Sequence, residues 1–177
     1  MPRRPRYAPT GHIFHVVNRG VERRRLFFTS ADYQGFLRLL GKGKEQWPIK
    51  IFGLCIMPNH YHLLVQPTAD RALSAYIHWV QGCYACDLRA QTNSKGHGHV
   101  FQQRFWSGIL FDEFDFLAAL RYVEANPREG RLVTCAEEWE WSSLTMRIRG
   151  NRILDPLPSV LPMNWIELVN TEPEPVE

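Results

Sequence analysis

The chain has 177 residues, 45% of them apolar and 22% charged, which suits one domain with a hydrophobic core and excludes a disordered or fibrous protein. No apolar run reaches the length that crosses a bilayer, and the opening Met1-Pro-Arg-Arg-Pro-Arg-Tyr7 lacks the apolar stretch of a secretory signal, so a cytoplasmic protein without a membrane partner is expected. The net charge of +3 is unevenly spread: Arg3, Arg4, Arg6, Arg19, Arg23, Arg24 and Arg25 face only Glu22 at the N-terminal end, and arginine grips phosphate and stacks on bases, which favours a nucleic-acid partner.

After Pro9-Thr10-Gly11, residues 11–19 are rich in β-formers and read as a first strand that exits into the arginine cluster. Ser30 is a candidate N-cap for a helix over residues 31–47, where Tyr33, Phe36, Leu37, Leu39 and Leu40 recur at helical spacing until Pro48 breaks the pattern. Residues 49–57 and 61–66 form two apolar, β-branched runs joined by the turn-forming Pro58-Asn59. Residues 70–91 carry Ala72, Leu73, Tyr76, Ile77, Val80, Cys83, Tyr84 and Leu88 three and four apart, an amphipathic helix and the longest element. Residues 100–111 alternate as a fourth strand, and residues 111–125 return to helical spacing, with Pro127 expected to end or bend that helix. The order β, α, β, β, α, β, α predicts an α+β domain, an antiparallel or mixed sheet covered by helices, and no glycine-rich phosphate loop suggests a nucleotide-fuelled enzyme.

Four cysteines, Cys55, Cys83, Cys86 and Cys135, are too scattered for a disulfide scaffold. Cys83 and Cys86 lie three apart on a helix, which favours core packing over zinc, because His97 and His99 are too close together for a finger. The acidic end beyond residue 150, with Asp155, Glu167, Glu172, Glu174 and Glu177, reads as an extension away from any phosphate path, and residues 171–177 as a disordered tail. Domain boundaries of 1–150 for a catalytic unit and 151–177 for this partly disordered extension follow.

Two short motifs carry chemistry. His60 and His62 point the same way from one strand, about 7 Å apart, close enough to share a metal ion. The pair is weak alone, since His97-Gly98-His99 repeats its spacing in a polar loop. Tyr122 and Asn126 stand one turn apart on a later helix, on a stripe with Asp115 and Ala119 that lies away from Phe116, Leu117, Leu120 and Val123. Small Ala118 and Ala119 leave room for a polymer beside the tyrosine hydroxyl. Trp79, Tyr84, Phe105 and Trp106 are candidates to stack on bases, with core packing favoured for most of them.

Met57-Pro-Asn-His-Tyr-His-Leu-Leu-Val65, Val100-Phe-Gln-Gln-Arg-Phe-Trp106, Arg121-Tyr-Val-Glu-Ala-Asn-Pro-Arg128 and Trp139-Glu-Trp-Ser-Ser143 together resemble the single-tyrosine HUH transposases, especially the REP-associated tyrosine transposases, over about residues 8–145. The resemblance implies the HUH endonuclease fold, an antiparallel, ferredoxin-like sheet with helices. It implies His60, His62 and Asn126 as ligands of Mg²⁺ or Mn²⁺ and Tyr122 as a nucleophile that forms a 5′-phosphotyrosine. It implies a single-stranded DNA substrate with palindromic hairpins, gripped by the N-terminal arginines and by Arg104, and a monomer or homodimer with the tyrosine acting on its own or a partner's site. After Asn126-Pro127 the chain reads Arg-Glu-Gly where relatives often show Val-Arg-Ala-Gly, a departure that falls on the loop beyond the helix.

Overall fold

A computed structural model of the protein describes residues 8–92 and 98–171. The elements run β1 (Ile13–Arg19), α1 (Ser30–Gln46), β2 (Ile49–Met57), β3 (His60–Pro67), α2 (Ala72–Gln91), β4 (Trp106–Leu110) and α3 (Glu113–Glu129), followed by α4 (Ser143–Arg149) and α5 (Trp165–Asn170). The strands make one antiparallel sheet in the order β2-β3-β1-β4, the ferredoxin-like arrangement. No helix among the described residues is long and apolar enough to cross a membrane.

Alternation along the strands assigns each sheet face its cover. Phe14 and Val16 of β1 with Tyr61, Leu63 and Val65 of β3 turn toward α1 and α2 and share a core with Phe36, Leu40, Tyr76, Ile77 and Val80. On β2 the phase changes in mid-strand: Ile49 and Ile51 join this core before a register shift between Ile51 and Gly53, Leu54 and Ile56 after it. The shift turns Phe52, Cys55 and Met57 to the other face, where Phe116, Leu120 and Val123 of α3 cover them with Leu64 of β3. Full burial of such side chains contributes about 1.5–3 kcal/mol each. Gly53 lets α3 close down, since a Cβ there would stand 2.6 Å from Leu120 Cδ1.

Several local expectations are corrected. The cap of α1 is Thr29, not Ser30: the Thr29 and Phe28 amides donate to Asp32 Oδ2 at 2.7 and 2.8 Å. The fourth strand is only Trp106–Leu110. Asn18 Nδ2 donates to the Gln103 carbonyl at 3.1 Å and pulls the chain off the ladder, leaving an isolated bridge between Gly20 and Phe101. Pro127 lies inside α3 and does not end it. Its missing N–H removes one bond of the last turn, and Gly130 N–H to Asn126 O at 2.8 Å continues the helical pattern past it. Cys83 is only half-buried and Cys86 exposed, because the buried stripe of α2 runs through Leu73, Tyr76, Ile77, Val80, Tyr84 and Leu88.

The segment after residue 150 lies against the domain as far as it is described. The Asp155 carboxylate accepts from Lys44 Nζ at 2.5 Å and from the Ile51 amide at 2.7 Å, and α5 buries Trp165 and Val169 against α3. Residues 172–177 are outside the described residues. One buried network ties this region to α3. Glu124, fully buried, accepts from Ser143 Oγ at 2.5 Å and Trp165 Nε1 at 2.8 Å and pairs with Arg147, which also donates to the Phe52 carbonyl at 3.0 Å. Glu124→Ala leaves a largely buried guanidinium without its carboxylate, which costs about 3–5 kcal/mol, and at the usual conversion for this size lowers the thermal midpoint by roughly 10 °C. Differential scanning calorimetry measures it; a midpoint within 2 °C or so of the parent would show that the network is dispensable.

Candidate active site

β1 and β3 pair so that Arg19 lies opposite His60 and Val17 opposite His62, with Cys55 and Met57 of β2 flanking the histidines on the other side. His60 and His62 thus leave the sheet on the α3 face. Their rings stand 5.0 Å apart at 81°. His62 is buried and His60 half-buried.

α3 starts at Asp112, whose Oδ1 accepts from the Asp115 amide at 2.8 Å, and it crosses the sheet with Tyr122 over the histidines. The Tyr122 ring lies edge-on to His62 of the same chain at 5.5 Å, and the residue is 48% exposed. Asn126 is buried one turn on. Its Nδ2 donates to the Tyr122 carbonyl at 2.9 Å, and its side chain is near enough to His60 to act on that ring's pKa. The four residues singled out in the sequence come together within one chain.

Sequence reading missed His15, on the same face of β1. Its Nε2 stands 2.9 Å from His62 Nδ1, with the rings near-parallel at 5.1 Å. Trp106 and Tyr122 meet the His15 ring edge-on at 5.6 and 6.0 Å. The available signal was alternation: in Ile13-Phe14-His15-Val16-Val17 a polar ring falls on the face shared by Val17 and Arg19. The Trp106 ring lies over Gly108, where a Cβ would come within 2.6 Å of it, so glycine is what lets the indole lie along the strand. Of the aromatic candidates only Trp106 is exposed, at 58%; Tyr84 and Phe105 are buried and Trp79 packs on Trp47.

Burial makes all three imidazoles poor bases. It lowers the His15 pKa to about 4. For His62 burial acts first and the neighbouring His15 and His60 add to it, bringing the value down to about 2. For His60 burial is again the main cause of a lowered value, the Asn126 side chain opposing it and Arg19 reinforcing it. At neutral pH each ring is uncharged, the form that holds a metal. His60 Nδ1 is tied to Asn59 Oδ1 at 2.7 Å and His62 Nδ1 to His15 Nε2 at 2.9 Å, so the nitrogen that these contacts leave over on each ring is Nε2. Two imidazole nitrogens with an amide oxygen from Asn126 fit a divalent ion that keeps open positions. Among the described residues, no three His, Cys, Asp or Glu side chains are placed to share an ion.

A cleft of about 520 Å³ opens beside His62 and Tyr122, lined also by His15, Arg19, Gln102, Gln103, Arg104 and Trp106, while His60 and Asn126 are not among its lining residues. It continues along α2 into a groove that shares Gln102, Gln103 and Arg104 and adds Arg89, and then into a third that shares Arg89 and reaches Arg24 and Arg25. Arg19 is held at the cleft by Gln102 Oε1. Arg23 is exposed on a turn where it and Glu22 both have positive φ, and its carbonyl accepts from Asn59 Nδ2 at 3.2 Å. Arg3, Arg4 and Arg6 are outside the described residues, as is His97.

The family model described as "Transposase IS200 like" matches residues 9–126. A Haemophilus influenzae protein assigned to the REP-associated tyrosine transposases is 26% identical over 107 residues, 56% of this chain and 61% of its own, so the chain spans under two thirds of that relative. The Escherichia coli REP-associated tyrosine transposase is 24% identical over 140 residues, 77% of this chain and 78% of its own. A solved structure of a REP-associated tyrosine transposase bound to a REP hairpin superposes with a TM-score of 0.69 at 20% identity, covering 100% of this chain and 98% of that one, and so shares the fold. With the family match spanning well over half its length, the chain belongs to the IS200-like transposases.

Proposed function

We propose that the protein nicks and rejoins single-stranded DNA beside hairpins, with Tyr122 as nucleophile and with Mg²⁺ or Mn²⁺ held by His60, His62 and Asn126. The observation that carries this reading is the meeting of Tyr122 with His62 at 5.5 Å inside one chain, with His60 5.0 Å from His62 and Asn126 one turn beyond the tyrosine. A divalent ion bound there supplies a Lewis acid for a phosphate oxygen.

The chain's own residues do the rest. The Tyr122 oxygen attacks phosphorus and loses its proton as it does so. The bond from phosphorus to the 3′ oxygen breaks, that oxygen takes up a proton, and the 5′ phosphate stays on Tyr122. A later 3′-hydroxyl attacks the phosphotyrosine and reseals the strand, so no nucleotide cofactor is consumed. Trp106 offers a face on which a splayed base stacks. Arg19 and Arg104 meet the backbone at the cleft, and Arg89, Arg24 and Arg25 continue the basic path. The solved relative's REP hairpin makes a hairpin the natural substrate to try.

Incubation with labelled hairpin DNA and Mn²⁺ should give a covalent adduct on a denaturing gel, and Tyr122→Phe should reduce it by at least about 10³-fold. Cleavage without an adduct would point instead to a water-using nuclease, and binding without cleavage to an idle DNA-binding module.

Because the four residues meet in one copy, mixing Tyr122→Phe with His62→Ala protein should restore no adduct on the same gel. Recovery of more than a trace would mean that the helix acts on a partner's site.

The histidines also set a pH dependence. Unfolded, they bind protons near pH 6.5; folded, His15 and His62 do so only near 4 and 2. Below pH 6.5 the unfolded chain therefore holds more protons, so stability is full above that value and falls as the pH drops. In EDTA, the thermal midpoint should fall between pH 7.5 and 5, and fall less in His62→Asn protein. A pH-independent midpoint over that range would contradict the burial of neutral rings.

A further inference from the structure

His15 has a role that follows from the arithmetic of ring protons. A neutral imidazole carries one proton, and two such rings share the 2.9 Å contact between His15 Nε2 and His62 Nδ1. Either His62 donates from Nδ1 and leaves its Nε2 bare, or His15 donates from Nε2 and the proton of His62 sits on Nε2. Only the first arrangement leaves His62 a nitrogen that can hold a cation. His60 meets the same requirement through a simpler partner, since Asn59 Oδ1 only accepts and so fixes the His60 proton on Nδ1.

His15 is itself held. It projects from β1 two residues before Val17, the partner of His62 across the ladder, and Trp106 and Tyr122 contact its ring edge-on at 5.6 and 6.0 Å. Its Nε2 is spent on His62, and among the described residues no three His, Cys, Asp or Glu side chains converge, so it does not count as a ligand. We propose that His15 is a positioning residue that accepts the Nδ1 proton of His62, fixing the tautomer and orientation that aim His62 Nε2 at the metal. A partner of this kind raises metal affinity or activity about 10–100-fold. The inference rests on the reading of His62 as a ligand.

The test compares wild-type, His15→Leu and His15→Gln full-length protein. Mn²⁺ affinity is measured by electron paramagnetic resonance without DNA, and adduct formation on hairpin DNA beside it. Leucine fills the site without an acceptor and should weaken Mn²⁺ binding by about 10–100-fold. Glutamine, whose Oε1 can accept where Nε2 did, should recover most of the loss in both readouts. Equal Mn²⁺ affinity in wild-type and His15→Leu protein overturns the inference. So does loss of adduct with Mn²⁺ binding intact in both variants, which would make His15 a proton acceptor for the reaction. Failure of the wild-type protein to bind Mn²⁺ would instead overturn the metal reading of His62. A measurement independent of variant folding uses metal-free wild-type protein: long-range ¹H–¹⁵N spectra of the histidine rings should put the His62 proton on Nδ1, and finding it on Nε2 defeats the proposal.

Discussion

The carboxylate of Glu124 is the constraint on which the candidate site depends. A charge with no access to water must be matched by donors, and those of Glu124 come from two other segments: Ser143 and Arg147 on α4 and Trp165 on α5. Such a carboxylate fixes the rotation of its helix. At about 100° per residue, Tyr122 and Asn126, two positions either side, both fall on the opposite side of α3, roughly 40° apart. Holding Glu124 inward on one flank therefore presents Tyr122 and Asn126 together on the other, above the histidines. The C-terminal region, remote from the site in sequence, acts on it by this route.

The sheet supplies the second half of the geometry by the same kind of fixing at a distance. Antiparallel pairing sets His60 against Arg19 and His62 against Val17, and alternation then leaves only one face for the rings. Each ring is tied at Nδ1, His60 by Asn59 in the turn before β3 and His62 by His15 across the ladder. Under the proposed metal reading the rings would need no reorientation when a cation arrives, which is what separates a prepared ligand pair from two histidines near one another.

What could be read in the sequence follows the range over which each signal acts. Alternation and helical stripes are local, so His60 with His62 and Tyr122 with Asn126 were legible as pairs, and the order of motifs tied the pairs together. His15 was not legible in this way, because its meaning depends on a partner 47 positions away that only strand register reveals. The truncated β4 has a similar cause: its pattern continues through residues 100–105, but the Asn18 side chain takes the Gln103 carbonyl. Pro127 misled because its local rule is sound in isolation, whereas in the last turn of α3 it forfeits a single bond and its ring is buried. Glu124 sat unremarked within a motif quoted for its neighbours, since an acidic residue on a helix is ordinarily solvated.

The same anchoring bears on whether the tyrosine serves its own chain. For α3 to cross to a second copy it would have to lift Phe116, Leu120 and Val123 off β2 and β3, and it would have to part Glu124 from Arg147 or carry α4 and α5 with it. Those losses are recovered only if the partner offers the same pocket in the same geometry. A domain exchange of this kind therefore gains nothing in contacts and still bears the entropy of association. The short connection from β4 to α3, only Phe111 and Asp112, adds a geometric limit, because a helix leashed to an edge strand by two residues cannot reach far without unpairing the strand. Helix anchoring and the short leash thus favour the arrangement in which Tyr122 stays beside the histidines of its own sheet, with the basic grooves of one chain leading to its own tyrosine.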